Sequence, residues 1–141
     1  VYQPMKWAQF WITFLSIVAG GLGYLIVTFW VQPILRYRDM KYRVAAGLVY
    51  FANALDLQKQ NGSLRDDTLQ RKESNRRCAS ELRAIYFDLP WWYRRVLTWR
   101  NEKPLEASKE LIGLANASEW RDAEEFITRV KCNLKLSVKD T

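Results

Sequence analysis

A chain of 141 residues with 22 Lys and Arg, 15 Asp and Glu and no histidine carries a net charge of +7. The lack of histidine removes the commonest general base and metal ligand, and two cysteines, Cys78 and Cys132, are too few for a disulfide framework or a zinc site. We therefore expect that the chain is not an enzyme and that it binds no metal and no cofactor. Its length leaves room for one small domain beside a membrane segment.

An uncharged run of 29 residues, from Trp7 to Leu35, lies between Lys6 and Arg36. About 20 apolar residues cross the hydrocarbon core of a bilayer, and a helix of this length extends roughly 44 Å. A small chain could hardly bury such a helix, and the apolar core of a signal peptide is roughly half as long. Aromatic residues stand at both ends of the run, as they do at membrane interfaces. The run predicts a single transmembrane helix.

The cations that follow the run predict its orientation. Only Lys6 precedes it, whereas four cations follow within eight residues: Arg36, Arg38, Lys41 and Arg43. By the positive-inside rule, the anchor (residues 1–35) has its N-terminus outside, and a basic domain (residues 36–141) lies in the cytoplasm. We expect the membrane to be a bacterial inner membrane or a plasma membrane. We expect the four cations to contact lipid headgroups, and anionic lipid in particular.

A stripe of small or mildly polar side chains follows one face of the predicted span. Its members are spaced four, three, four and three residues apart: Gln9, Thr13, Ser16, Gly20 and Gly23. Two pairs also have the small-xxx-small spacing: Ser16/Gly20 and Ala19/Gly23. A lipid-facing helix has no use for such a stripe, whereas small residues let two helices approach closely. The stripe predicts an interface with another membrane protein or with copies of this chain.

The helical phase of this stripe continues beyond the span. Counting on from Gly23 by alternating steps of four and three reaches an apolar series: Val44, Leu48, Phe51 and Leu55. One helix over about residues 3–58 could therefore leave the bilayer and keep a single seam facing partners. Pro33 removes a backbone donor within this helix and predicts a kink.

A third helix is predicted between two breaks. An Asn-Gly pair at 61–62 is a strong turn signal, and Asp66 and Asp67 then begin a helix with acidic residues at its positive end. Its first half, residues 70–77, is polar and expected to be solvated, and Pro90 ends it. Its second half carries apolar residues on one side: Cys78, Leu82, Ile85, Tyr86 and Leu89.

Two later helices complete the predicted domain. Pro104 suits a first helical turn, and the apolar side of that helix is expected to contain Leu105, Leu111, Ile112 and Ala115. Ser118 is a plausible N-cap of the last helix, whose apolar series is Trp120, Ala123, Ile127, Val130 and Leu134. No segment alternates with the period of a strand. The predicted fold is all-α: an N-terminal transmembrane helix followed by a small cytoplasmic helical bundle.

Residues 90–100 concentrate tryptophan and arginine. If this segment is helical, Trp92, Val96 and Trp99 share a face. Rings and guanidinium groups of this kind suit the headgroup layer, but large rings also fill the core of a small domain. Bases of single-stranded nucleic acid could stack on them too, although we do not expect nucleic acid because the adjacent span explains the same residues. We predict that five residues lie at the cytoplasmic lipid surface: Trp91, Trp92, Arg94, Arg95 and Trp99.

No catalytic group emerges from the remaining residues. Cys78 follows two arginines, which lower the pKa of a thiol, but its place on an apolar helix side favours a packed cysteine. Two functions remain open. One is a membrane-anchored interaction or assembly subunit that packs through the stripe. The other is an oligomeric pore-forming effector, of the toxin or defence type, whose stripe lines a channel. Two glycines and the lack of an ionisable residue on the stripe favour the first.

Overall fold

A computed structural model describes the backbone of residues 5–61, 65–117 and 120–136, and the side chains of residues 7–51, 69–117 and 121–136. Every regular element in these ranges is helical: α1 (Met5–Ile26), a π-helical turn (Val27–Val31), α2 (Gln32–Asn61), α3 (Arg65–Asp88), α4 (Trp91–Trp99), α5 (Pro104–Asn116) and α6 (Trp120–Asn133). The all-α prediction is confirmed for this part of the chain. The proposed N-cap, Ser118, lies outside the described residues.

One uninterrupted helix runs through α1, the π turn and α2, and it passes the boundary at residue 35 without a break. The backbone N–H of Gln32 donates to the carbonyl of Val27, five residues earlier. Pro33 has no N–H, and its ring crowds the carbonyl four residues before it. A wider turn directly before the proline accommodates that ring. The disturbance that we expected near Pro33 is therefore a π turn within a continuous helix.

The side chains in the first part of this helix are not covered by any other part of the described structure. Every side chain from Trp7 to Val27 is exposed, including large apolar ones. It is the one helix of the described residues that is long and apolar enough to cross a membrane.

The second part of the helix supplies the core of a bundle. α2 packs against α3 and α6, and it buries four side chains almost completely: Tyr37, Met40, Val44 and Leu48. The expectation that this seam would face partners beyond the span is wrong over residues 37–48. A domain of about this size has little apolar surface to spare, so the seam closes the chain's own core. The side chain of Leu55 lies outside the described residues.

Of the other helices, α3 and α6 meet this face. α3 packs against α5, and α5 against α6. The buried apolar residues of these three helices and of their ends are Ala79, Leu82, Leu89, Ala107, Leu111, Leu114, Ala115, Ala117, Ala123, Ile127, Val130 and Leu134. The face predicted for the last helix is confirmed, apart from Trp120, whose side chain lies outside the described residues. Pro104 occupies the first turn of α5 as predicted.

Two expectations about these helices were wrong. Asn75 belongs to the segment expected to be solvated, but only 4% of its surface is exposed. α3 is covered on two sides, by α2 and α5, so its buried arc is wider than its apolar residues indicate. In α5, Ile112 is exposed and Leu105 is only half-buried. Two small residues, Ala107 and Ser108, are buried in α5 instead. Their short side chains allow the neighbouring helices to pack closely against α5 at these positions.

Candidate functional site

A chain of aromatic rings joins α4 to the end of the apolar helix. Trp30, in the π turn, meets Trp92 edge to face, with ring centroids 6.4 Å apart. Trp92 meets Tyr93 at 5.7 Å, and Tyr93 meets Tyr37 at 6.3 Å. Each pair has the T-shaped geometry that aromatic rings prefer. These contacts hold the first turn of α4 level with the last turns of the uncharged run.

α4 presents its remaining tryptophans outward. Leu97 is its buried residue, and Tyr93, one turn earlier, packs against the core. Trp91 is 65% exposed and Trp99 is 88% exposed, so the alternative in which these rings fill the core is wrong for both. The buried face of α4 runs through Tyr93 and Leu97, about 100° from the face that Trp92, Val96 and Trp99 share. The guanidinium of Arg95 lies over the Trp91 ring, 5.3 Å from its centroid.

The cations after the run have different surroundings. Arg36 and Arg38 are exposed, and Arg43 pairs with Asp39 at 2.9 Å on the surface. Lys41 is half-buried, and its Nζ donates to Glu102 Oε2 at 3.2 Å. That all four contact lipid headgroups stays a prediction, as it does for α4. The structure adds that the Lys41 ammonium already has a protein partner.

Glu102 is the centre of a polar cluster inside the bundle. Its exposed fraction is 4%, and burying a carboxylate is costly unless the charge is paired and hydrogen-bonded. The Tyr37 hydroxyl donates to Oε2 at 3.0 Å, and the Arg100 guanidinium lies 3.3 Å from Oε1. Together with Lys41, these groups place three donors on one carboxylate. The pKa values of Tyr37 and Tyr93 are raised, mainly because both hydroxyls are buried and secondly because the negative charge of Glu102 is close.

The end of α4 explains how Glu102 reaches this position. Asn101 has a φ of 57°, the left-handed region in which Asn is the commonest residue after Gly. The Asn101 N–H bonds to the Thr98 carbonyl at 3.0 Å, and the Glu102 N–H bonds to the Leu97 carbonyl at 2.9 Å. This pair of bonds is the Schellman motif of a helix C-terminus. It reverses the chain and directs Glu102 back toward α2.

A cleft opens beside this cluster. Its volume is about 520 Å³, and it lies between the beginning of α2 and the end of α4. Its lining consists of Ile34, Tyr37, Arg38, Lys41, Tyr42, Tyr93, Arg100 and Glu102. Three of these residues are cations and one is an anion, so the cleft has an excess of two positive charges. Through Ile34 it adjoins the last turn of the uncharged run.

The stripe on α1 is remote from this cleft and makes no contact with the described bundle. The Thr13 and Ser16 hydroxyls each donate at 2.9 Å to the carbonyl four residues earlier in α1. Apart from the adjacent residues and the backbone of α1 itself, no described atom lies within 4 Å of the position that a Cβ would take on Gly20 or Gly23. The stripe is therefore open to a neighbour, and its role as an interface stays a prediction.

Cys78 is half-buried against the core, and burial raises the pKa of its thiol. A packed cysteine is the interpretation that its position favours. Among the described side chains, no three acidic or cysteine residues come together as a metal site would require.

The polar cluster was not predicted from the sequence. Glu102 looks like any charged residue of a polar turn, and Tyr37 looks like an interfacial aromatic residue after a span. The one local signal is Arg-Asn-Glu-Lys-Pro at 100–104, where Asn and Pro mark a helix end and a new helix start. That signal predicts the turn but not the burial of its glutamate.

The chain matches no protein-family model, no curated protein and no solved structure.

Proposed function

We propose that the chain is a single-pass, membrane-anchored assembly subunit. In this proposal α1 crosses the membrane and contacts other membrane helices through its stripe. The basic bundle then lies at the cytoplasmic surface, where it holds a partner protein or sets the order of a homo-oligomer. The observation that carries the proposal is the bare surface of α1, whose described side chains are exposed over the whole length from Trp7 to Ile26.

An exposed apolar surface of this extent must be shielded from water by another molecule. Monomeric soluble proteins rarely expose apolar patches of more than a few hundred Å², and α1 carries large apolar side chains around its whole circumference. The bundle does not provide the cover, because its own core is closed by α2. Lipid with one or more neighbouring helices would provide it.

The position of α4 is also consistent with membrane attachment. The Trp30–Trp92 contact holds α4 level with the end of the apolar run, which is the depth of the headgroup layer if α1 spans the bilayer. Trp91, Trp99 and Arg95 are exposed there. Indole rings with an arginine suit that layer, where the ring settles and the cation meets phosphate.

The glycines support assembly. Glycine in a helix interior is less favourable than alanine by roughly 0.5–1 kcal/mol, and no described contact within the chain requires Gly20 or Gly23. A second helix at close range would give both a purpose. The hydroxyls of Thr13 and Ser16 are satisfied by their own helix, so they do not require the water of a channel. These observations favour close helix contact over the pore-forming alternative.

Crosslinking in native membranes tests the assembly. We expect Gly20→Leu and Gly23→Leu to reduce the crosslinked oligomer or complex, because leucine holds two helices apart. Gly21→Leu is a matched control, since Gly21 is also open but lies about 100° from Gly20 around the helix. Wild-type crosslinking by both stripe variants would refute the interface. Ion flux through liposomes that contain only this chain would support the pore instead.

A further inference from the structure

We propose that the cleft between α2 and α4 binds a phosphate ester, and that Arg38, Lys41 and Arg100 are the cations that bind it. The chemistry is shared by two sources, the headgroup of an anionic phospholipid and a soluble phosphate ester. The lipid source rests on the membrane anchoring proposed above, whereas binding of a soluble ester does not.

The charges of the cleft favour an anion. Glu102 has little surface left to offer a ligand, since its carboxylate is buried and already accepts from Tyr37, Lys41 and Arg100. A lysine carries three N–H donors and an arginine five. Lys41 and Arg100 therefore keep donors beyond those directed at Glu102. Both side chains remain partly open to solvent, Arg100 more than Lys41.

Arg38 adds a cation that the described structure leaves uncommitted. It lines the cleft and is exposed, and no carboxylate of the described residues pairs with it. Arg36 is exposed on the same helix but is absent from the lining of the cleft. A structural role explains Lys41 and Arg100, which stabilise a buried carboxylate, but it does not explain Arg38.

Phosphate fits this arrangement better than a carboxylate does. The donors come from two separate elements, the beginning of α2 and the residue after α4. A phosphate presents several acceptor oxygens to donors that converge from different sides, and arginine recognises it with paired N–H groups. The Tyr93 ring and the Tyr42 side chain line the same cleft and offer hydroxyl donors. Ile34, from the last turn of the uncharged run, lines its apolar part.

The first arm of the test uses a soluble probe. The full chain in a zwitterionic detergent is titrated with glycerol 1-phosphate and followed by isothermal calorimetry. We expect Arg38→Gln to weaken binding about fivefold, as the loss of one cation near an anion implies. Arg36→Gln is the matched control and should change the Kd by less than twofold.

The second arm uses lipid. The full chain is reconstituted in nanodiscs of phosphatidylcholine with a minority of phosphatidylglycerol, and the lipid that stays bound after extraction is identified by mass spectrometry. Enrichment of phosphatidylglycerol that Arg38→Gln abolishes and Arg36→Gln preserves supports the lipid source. Binding of glycerol 1-phosphate with the same dependence on Arg38 supports the soluble source. The proposal is overturned if the chain binds neither glycerol 1-phosphate nor phosphatidylglycerol, or if Arg38→Gln and Arg36→Gln lose binding equally. Neither of these results bears on whether α1 spans the membrane.

Discussion

The Tyr37 hydroxyl and the Glu102 carboxylate, 65 positions apart in the chain, form a buried hydrogen bond of 3.0 Å. Tyr37 lies two residues after the uncharged run, and Glu102 lies in the turn between α4 and α5. The bond therefore connects the helix that leaves the apolar run to the far side of the bundle. It fixes the bundle to the first turns after that run, together with the contact between Trp30 and Trp92.

Loss of the Tyr37 hydroxyl should destabilise the folded chain. Tyr37→Phe keeps the ring but removes one of three donors from a buried carboxylate, which should lower the free energy of unfolding by about 1.5–3 kcal/mol. Tyr42→Phe is the control, because Tyr42 is exposed on the same helix and its change should stay within about 0.5 kcal/mol. Chemical unfolding of the full chain in mild detergent measures both. Equal stability of the two variants would show that the Tyr37–Glu102 bond does not stabilise the fold.

Gly113 permits the close approach of α5 and α6. A Cβ at this position would lie 2.5 Å from a ring carbon of Phe126, so Gly113→Ala must displace the ring. We expect a loss of about 1–3 kcal/mol, typical of overpacking, although alanine is the better helix former. Gly47→Ala is the matched control, because its nearest such atom, in Phe51, is 4.0 Å away.

For Gly47→Ala we expect unchanged or higher stability, by up to about 1 kcal/mol. Phe126→Leu should restore part of the stability that Gly113→Ala removes. Thermal unfolding of the full chain compares all of these variants. A Gly113→Ala variant as stable as Gly47→Ala would contradict the close packing of the two helices.

The Schellman turn after α4 makes a prediction about Asn101. Its left-handed backbone disfavours a residue with a branched Cβ, so Asn101→Val should cost about 1–2 kcal/mol or more. Asn101→Gly should be neutral or stabilising, because glycine adopts this conformation freely. If valine were tolerated as well as glycine in an unfolding experiment, the chain would not turn at this residue as described.

The two cysteines should differ in reactivity. Burial raises the pKa of the Cys78 thiol and also limits access to it, whereas Cys132 is exposed. A raised pKa leaves less of the reactive thiolate near neutral pH. In the folded chain at pH 8, iodoacetamide should therefore modify Cys132 first, and denaturant should remove the difference. Mass spectrometry of tryptic peptides measures both rates, and equally fast modification of Cys78 in the folded chain would contradict its packing.

The sequence predicted the features that depend on local pattern. The uncharged run, the apolar series of α6 and Pro104 at the start of α5 each follow from residues within a few turns of one another. The same reasoning was wrong where the fold covers a helix from more than one side. Asn75 is buried because both α2 and α5 pack against α3, and no periodicity in α3 itself shows this.

The candidate cleft depends on pairings that are distant in the chain. The sequence predicts that Lys41 and Arg38 contact lipid headgroups, but their proximity to Arg100 and Glu102 requires the turn of α4 and the packing of Leu97. The seam on α2 shows the same limit. Its apolar periodicity predicted a buried face, but periodicity does not distinguish a partner chain from the chain's own α3 and α6.

The most direct test of the proposed membrane anchoring is labelling with a membrane-impermeant maleimide in intact cells that express the full chain. The exposed Cys132 reports the position of the bundle, and an introduced Gln3→Cys reports the side on which α1 begins. We expect Gln3→Cys to be labelled in intact cells, whereas Cys132 should be labelled only after the membrane is permeabilised. Ready labelling of Cys132 in intact cells would contradict it.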